Sequence, residues 1–185
     1  MSRFLIICLL LSNLFTNEIF ASSVAPQSDV PQLDEPYIEI GYKSVGKALK
    51  ECETLNQREL KLPIKLPPME FTHHLGRCVN DKENYNDELQ IEYLHESHGK
   101  NHYMIDVRPI EQKLAYGKLK RDGKKYKFKD GSEAVYFTTK SPKARGGFNI
   151  LLFEKNGWQY RLSVDSRIGN HVTADVLFGI AESVK

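Results

Sequence analysis

Cysteine is scarce in this chain: three in 185 residues, one of which, Cys8, lies in an apolar run near the start. The other two, Cys52 and Cys78, have neither CxxC nor CxxxC spacing, which speaks against zinc or redox chemistry. A disulfide between them and two free thiols both stay open at this point. Other absences narrow the function classes. The sequence has no GxSxG, no phosphate-cradling glycine loop and no dinucleotide fingerprint, and "ARGGFN" offers only the two adjacent glycines of a turn. No internal repeat or Gly/Ser tract occurs, and no segment after the start is apolar for long enough to cross a bilayer. An enzyme therefore has no positive signal, and no cofactor is implied.

The opening "MSRFLIICLLLSNLFTNEIFASS" places one Arg ahead of an apolar run from Phe4 to Phe15, followed by polar and small residues. That layout is a secretory signal peptide, expected over 1–21. The run falls short of the roughly 20 residues that a bilayer core asks for, so a released protein with no transmembrane segment in the mature chain is expected. A secreted, extracellular or envelope-associated location follows, and it disfavours nucleic acid as a partner. The Pro- and acid-rich stretch to Gly41 reads as a flexible lead-in over 22–41. The remainder, 42–185, has the size of one domain able to bury its own core.

From Ser44, "SVGKALKECETLNQREL" puts Val45, Leu49 and Cys52 on one side at three- and four-residue steps, which predicts an amphipathic helix with Ser44 as cap. The prolines of "LPIKLPPMEF" stop it and force an extended entry. Period-two alternation then predicts strands: Leu89, Ile91 and Tyr93 share one face, as do Tyr103, Ile105 and Val107, with polar "HESHGKN" as the turn between. Further strands are read at 125–128, 133–138, 148–154 and 158–164. Asn156-Gly157 is the strongest short-range hairpin signal, and Trp158, Tyr160, Leu162 and Val164 share a face beyond it. In "VTADVLFGIAESVK", Thr173 caps a final helix with an apolar stripe through Val176, Leu177, Ile180, Ala181 and Val184. The fold class is α+β: an antiparallel meander of about six strands with an N-terminal and a C-terminal helix.

The succession "GSEAVYF", "ILLFEKNGWQYRLSVD" and "VTADVLFGIAESV" resembles the extracytoplasmic domain of unknown function that ends many proteins of spore-forming Gram-positive bacteria. That domain is itself similar to regulators of anti-sigma factors and to lipoprotein carriers with a curved half-barrel sheet. "LPIKLPPMEFTHHLGR" and "NDELQIEYLHE" resemble small secreted members of the group. The resemblance spans Leu60 to Val184 and implies a half-barrel as the form of the sheet. Its motifs specify packing and transfer no catalytic residue.

Three of the six histidines, His95, His98 and His102, crowd one segment and could supply imidazole ligands. Gly99 and Asn101 argue against the helix that would align them, and flanking strands point successive residues to opposite faces. The segment is read as a solvated turn, with no metal. The pair His73-His74 is read as one ring packed and one exposed. Charge is more telling. From Lys113 to Arg145 eleven Lys or Arg face three acids, whereas Asp81 to Asp106 holds seven acids against two lysines, in a chain of net charge +2. The densest part is "KLKRDGKKYKFKDG", where Lys125, Lys127 and Lys129 alternate with Tyr126 and Phe128. Such a run serves either as a lysine-guarded edge or as a surface for an anionic partner. The function expected is a secreted, non-enzymatic binding or regulatory domain at the cell envelope, contacting an anionic wall polymer, lipid or protein. Its contact residues are Lys118, Lys120, Arg121, Lys124, Lys125, Lys127 and Lys129. A small-ligand or lipid-binding half-barrel is the alternative, and an unrecognised enzyme the third.

Overall fold

The computed structural model describes residues 33–81, 83, 86–141 and 146–185; the expected signal peptide and most of the lead-in lie outside the described residues. The tail of that lead-in is ordered: α1 (Glu35–Glu39) carries Pro36 in its first turn, and Tyr37 sets its ring edge-on against Tyr42 at 5.2 Å. The folded unit thus begins earlier than residue 42.

Two short elements follow, β1 (Lys43–Ser44) and α2 (Val45–Asn56). Ser44 holds the N-cap position with extended backbone, but its hydroxyl makes no capping bond. Ala48 and Cys52 are the buried residues of α2, and Val45 and Leu49 pack beside them. The helix lies tight on β2 (His73–Val79), where Gly76 makes room: a Cβ there would come within 3.0 Å of both Ala48 Cβ and Val45 Cα. Cys52 and Cys78 are joined as a disulfide across this contact.

The remaining strands are β3 (Glu88–Leu94), β4 (His102–Pro109), β5 (Lys124–Lys127), β6 (Glu133–Thr138), β7 (Phe148–Lys155) and β8 (Trp158–Asp165). They form one open antiparallel sheet of eight strands in the order β1-β2-β3-β4-β8-β7-β6-β5. This corrects the expected six-strand meander in two ways. The two strands added are β1 and β2; β2 escapes a period-two reading because glycine and two histidines break its alternation. The topology is also two four-strand runs, since after β4 the chain crosses to the far edge as α3 (Gly117–Arg121) and β5, then returns so that β8 lies beside β4.

Register sorts the side chains onto two faces. Leu89↔Val107, Ile91↔Ile105 and Tyr93↔Tyr103 continue into Val107↔Tyr160, Ile105↔Leu162 and Tyr103↔Val164, then into Phe153↔Tyr160 and Leu151↔Leu162. This is the core face, and Tyr93, Ile105, Trp158 and Tyr160 are all buried on it. The Asn156-Gly157 turn has φ of 52° and 79° at its two residues, the left-handed geometry of a tight hairpin. Trp158 Nε1 donates to the Glu59 carbonyl and the Tyr160 hydroxyl to that of Lys61, so these two rings hold the Pro-rich chain after α2 across the core. The final helix α4 (Ala174–Ala181) closes the layer: the Thr173 hydroxyl accepts from Val176 N–H, and Leu177, Ile180 and Ala181 are buried.

Candidate functional site

The expected basic contact residues sit around the β5 edge of the sheet. Their placement starts at Tyr116, whose φ of 51°, followed by 46° at Gly117, reverses the chain into α3. The Tyr116 ring packs on Phe137 at 5.5 Å, within a second apolar cluster of Val135, Phe137, Ile150 and Leu152 on the opposite face of the sheet. Its hydroxyl accepts from Arg161 Nη1 at 3.2 Å. Two hydrogen bonds hold the approach to it: Leu114 N–H donates to Gln159 Oε1 at 2.9 Å, and Gln159 Nε2 donates to the Leu114 carbonyl at 3.0 Å. After α3 the turn is pressed onto β6: a Cβ at Gly123 would meet Val135 Cγ1 at 2.6 Å and the Tyr136 carbonyl oxygen at 2.7 Å.

Along β5 the alternation places the aromatics inward. Tyr126 stacks on Phe178 at 5.0 Å and Phe128 on the same ring at 4.9 Å, so α4 anchors this strand. The Tyr126 hydroxyl donates to Asp175 Oδ1 at 2.7 Å, and with Lys124 it holds that carboxyl below its usual range. Lys125 and Lys127 occupy the opposite face of the strand, opposite Val135 and Glu133. Lys124 belongs instead to the aromatic side: its Nζ lies 4.6 Å from the Tyr126 ring and 3.7 Å from Asp175.

The seven basic residues do not merge into one patch. Lys120, Arg121 and Lys125 converge on a groove of about 290 Å³ floored by Val135. Lys118 and Lys124 border a second groove of about 530 Å³, and Lys129 borders a third beside Phe128 and Lys155. Four of the seven have an acid within reach: Lys120–Glu154 at 3.9 Å, Arg121–Asp122 at 3.5 Å, Lys124–Asp175 at 3.7 Å and Lys125–Glu133 at 3.5 Å. These pairs are exposed and hold their partners weakly. Among the described residues no ion pair engages Lys118, Lys127 or Lys129. Counting along the sequence overstated the local charge, because Glu154 and Asp175 reach this edge from distant strand and helix positions.

The three clustered histidines separate. His95 and His98 touch in the β3–β4 turn, ring centroids 4.3 Å apart, whereas His102 leaves the turn and places Nε2 2.6 Å from Glu92 Oε2 on the second face of the sheet. Among the described residues no three His, Cys, Asp or Glu side chains group as a metal set. His74 rests on Tyr93 at 5.1 Å while staying exposed, and His73 bonds Thr72 Oγ1.

The second face holds what alternation alone could not reveal. Residues facing away from an apolar core read as solvated, yet Glu88, Asp106, Arg108, Gln159 and Ser163 are all buried. Arg108 pairs with Glu88, Arg161 Nη2 reaches Asp106 Oδ2 at 2.7 Å, and Arg77 Nε donates to Gln90 Oε1 at 3.0 Å while Arg77 Nη1 holds the Ile40 carbonyl. Burial, with the added repulsion of Glu88 and Glu92, pushes the Asp106 carboxyl up to about 6 against the pull of Arg161. The buried acids and arginines are thus matched, while Arg77 ties the end of α1 to the sheet through the Ile40 carbonyl and Arg161 ties the Tyr116 segment through its hydroxyl. A low-dielectric site demands such pairing, since an unmatched ion there is costly.

No family model matches the chain, and no curated protein or solved structure matches it. No helix among the described residues is long and apolar enough to cross a membrane.

Proposed function

We propose that the chain is a secreted, non-enzymatic binding domain that captures an anionic partner at the cell envelope through the β5 edge. The observation that carries this is the arrangement of α3 and β5: Tyr126 and Phe128 fix the strand to α4 on one side, and Lys125 and Lys127 stand on its other side with Lys120 and Arg121 converging beside them. That second row guards the strand edge, and Lys118, Lys127 and Lys129, which have no ion pair among the described residues, can also attract an acid. The Cys52–Cys78 disulfide fits an oxidising compartment. The core face is filled by α2, α4 and the chain after α2, which favours surface binding over an apolar-ligand carrier.

The test is co-sedimentation with phosphatidylglycerol vesicles, isolated anionic wall polymer and poly-glutamate beads, at low salt and at physiological salt, for wild type and the triple variant Lys118→Glu, Lys125→Glu, Lys127→Glu. At least one anionic matrix should retain wild type at low salt and release it as screening shortens to about 8 Å. With each lysine worth roughly 1 kcal/mol near an anionic surface, the triple reversal should weaken retention by about a hundredfold or more. Its melting temperature should stay within about 5 °C of wild type. Retention of the variant equal to wild type, or no retention of wild type on any matrix, contradicts the reading.

A further inference from the structure

The groove of about 530 Å³ is lined by an exposed leucine and by aromatic residues of β6. Leu119 stands 44 % exposed on α3 and faces the groove with Phe137, while Tyr136, which points to the core face, meets it at the strand edge; Lys118 and Lys124 border it and Asp122 is the acid at its margin. A large leucine left that open on a basic helix, beside the Phe137 ring, is apolar surface available for contact.

Backbone geometry adds an independent feature. Strand β6 runs to Thr138, but β5 pairs with it only as far as Lys124↔Tyr136, because the chain leaves the sheet at Gly123. Thr139 N–H donates to the Phe148 carbonyl at 2.9 Å, toward β7. Alternation along the strand therefore turns the N–H and C=O of Thr138 the other way, to the side that β5 has vacated. Among the described residues no backbone hydrogen bond of β5 or the α3 turn takes them up. An open donor and acceptor on a strand edge, beside an apolar floor, suit the backbone and one side chain of an extended peptide.

Charge selects the kind of peptide. Lys118 has no ion pair among the described residues, Lys124 has only an exposed aspartate 3.7 Å away, and Lys120 and Arg121 lie on the same short helix. We infer that this groove seats an extended acidic segment of a partner protein, which pairs with Thr138, places one aliphatic side chain against Leu119 and Phe137, and sets its carboxylates on Lys118 and Lys124. The inference rests on the basic-edge reading and narrows its partner from any polyanion to a peptide. A uniform polyanion has charge but nothing for the apolar floor, and an acyl chain has no use for the Thr138 backbone.

The experiment is fluorescence anisotropy with a labelled nine-residue peptide carrying three acidic residues on each side of a Val-Leu-Val centre. A control peptide has a Ser-Ser-Ser centre, and poly-glutamate and phosphatidylglycerol vesicles serve as charge-only and lipid competitors. Wild type should bind the aliphatic peptide about tenfold or more tightly than the serine control, the return expected for burying a leucine-sized side chain. Leu119→Ser should abolish that preference and leave poly-glutamate binding unchanged; Thr138→Pro, which removes the outward N–H, should weaken the aliphatic peptide severalfold. Equal binding of the two peptides, or a preference that survives Leu119→Ser, overturns the inference. Vesicles that compete better than the aliphatic peptide, with no effect of Leu119→Ser, overturn it in favour of a lipid surface. If poly-glutamate binds and the peptide centre is irrelevant, only this inference falls; if nothing anionic binds at low salt, the basic-edge reading falls with it.

Discussion

At one edge of the sheet, β1 pairs just two residues with β2, and behind them the Cys52–Cys78 disulfide and the close approach at Gly76 fix α2 to the strand. At the other edge β5 has four residues, no covalent tie, an aromatic contact to α4 on one side and lysines on the other. Both edges carry the same hazard, a row of unpaired backbone groups. The first answers it by being very short and locked in place, which serves stability. The second answers it with charge, which also leaves a surface that another molecule can use. Contacts at the first edge should therefore matter for folding, and those at the second for recognition.

The largest effect should come from opening the locked edge. Replacing both Cys52 and Cys78 by Ser removes a cross-link between residues 26 apart, and should lower unfolding free energy by roughly 3 to 4 kcal/mol in urea titrations. Reducing the wild type with dithiothreitol should cost a similar amount. A loss below about 1 kcal/mol, comparable to the lysine reversals at the far edge, would erase the distinction between the edges.

A smaller effect, with a defined sign, belongs to the polar layer between them. The folded carboxyl of Asp106 is pushed up to about 6 from an ordinary 3.8. Between those two values the folded protein keeps a proton that the unfolded chain has released. Asp106 therefore favours folding at low pH, and that contribution is lost as pH rises through about 6. Asp106→Asn cannot titrate. The stability of wild type relative to this variant should fall by about 2 to 3 kcal/mol between pH 4 and pH 7, measured by urea unfolding at each pH. A difference that is flat, or that grows with pH, would mean the Arg161 pair outweighs burial and that this layer is an ordinary stabilising ion pair.

How much of this was legible in the sequence depended on whether a residue's environment is local. The core face of β3, β4 and β8 followed from alternation alone, because each apolar residue has its partner on the neighbouring strand of the same face. The Asn156-Gly157 turn and the Thr173 cap were readable for the same reason, being set by a few consecutive residues. Strand β2 was not, since Leu75 and Val79 fall on the second face while His74 and Gly76 fall on the core face. Nor was the burial of Asp106 and Arg108: alternation reports which way a side chain points and says nothing of what later packs over it. At the basic edge, the run of lysines was plain, but Glu154 and Asp175, which temper it, reach it only through the fold. The open Leu119 and the outward-turned Thr138 backbone also needed the register of β5 against β6, which ends two residues short of the end of β6.

The most direct measurement of the contrast between edges is amide hydrogen exchange with and without a saturating acidic probe, poly-glutamate at low salt. Slowed exchange should appear in Gly117–Lys127, while Lys43–Ser44 and His73–Val79 keep their rates. Protection confined to the β1–β2 edge, or spread evenly over the sheet, would contradict the assignment of recognition to β5.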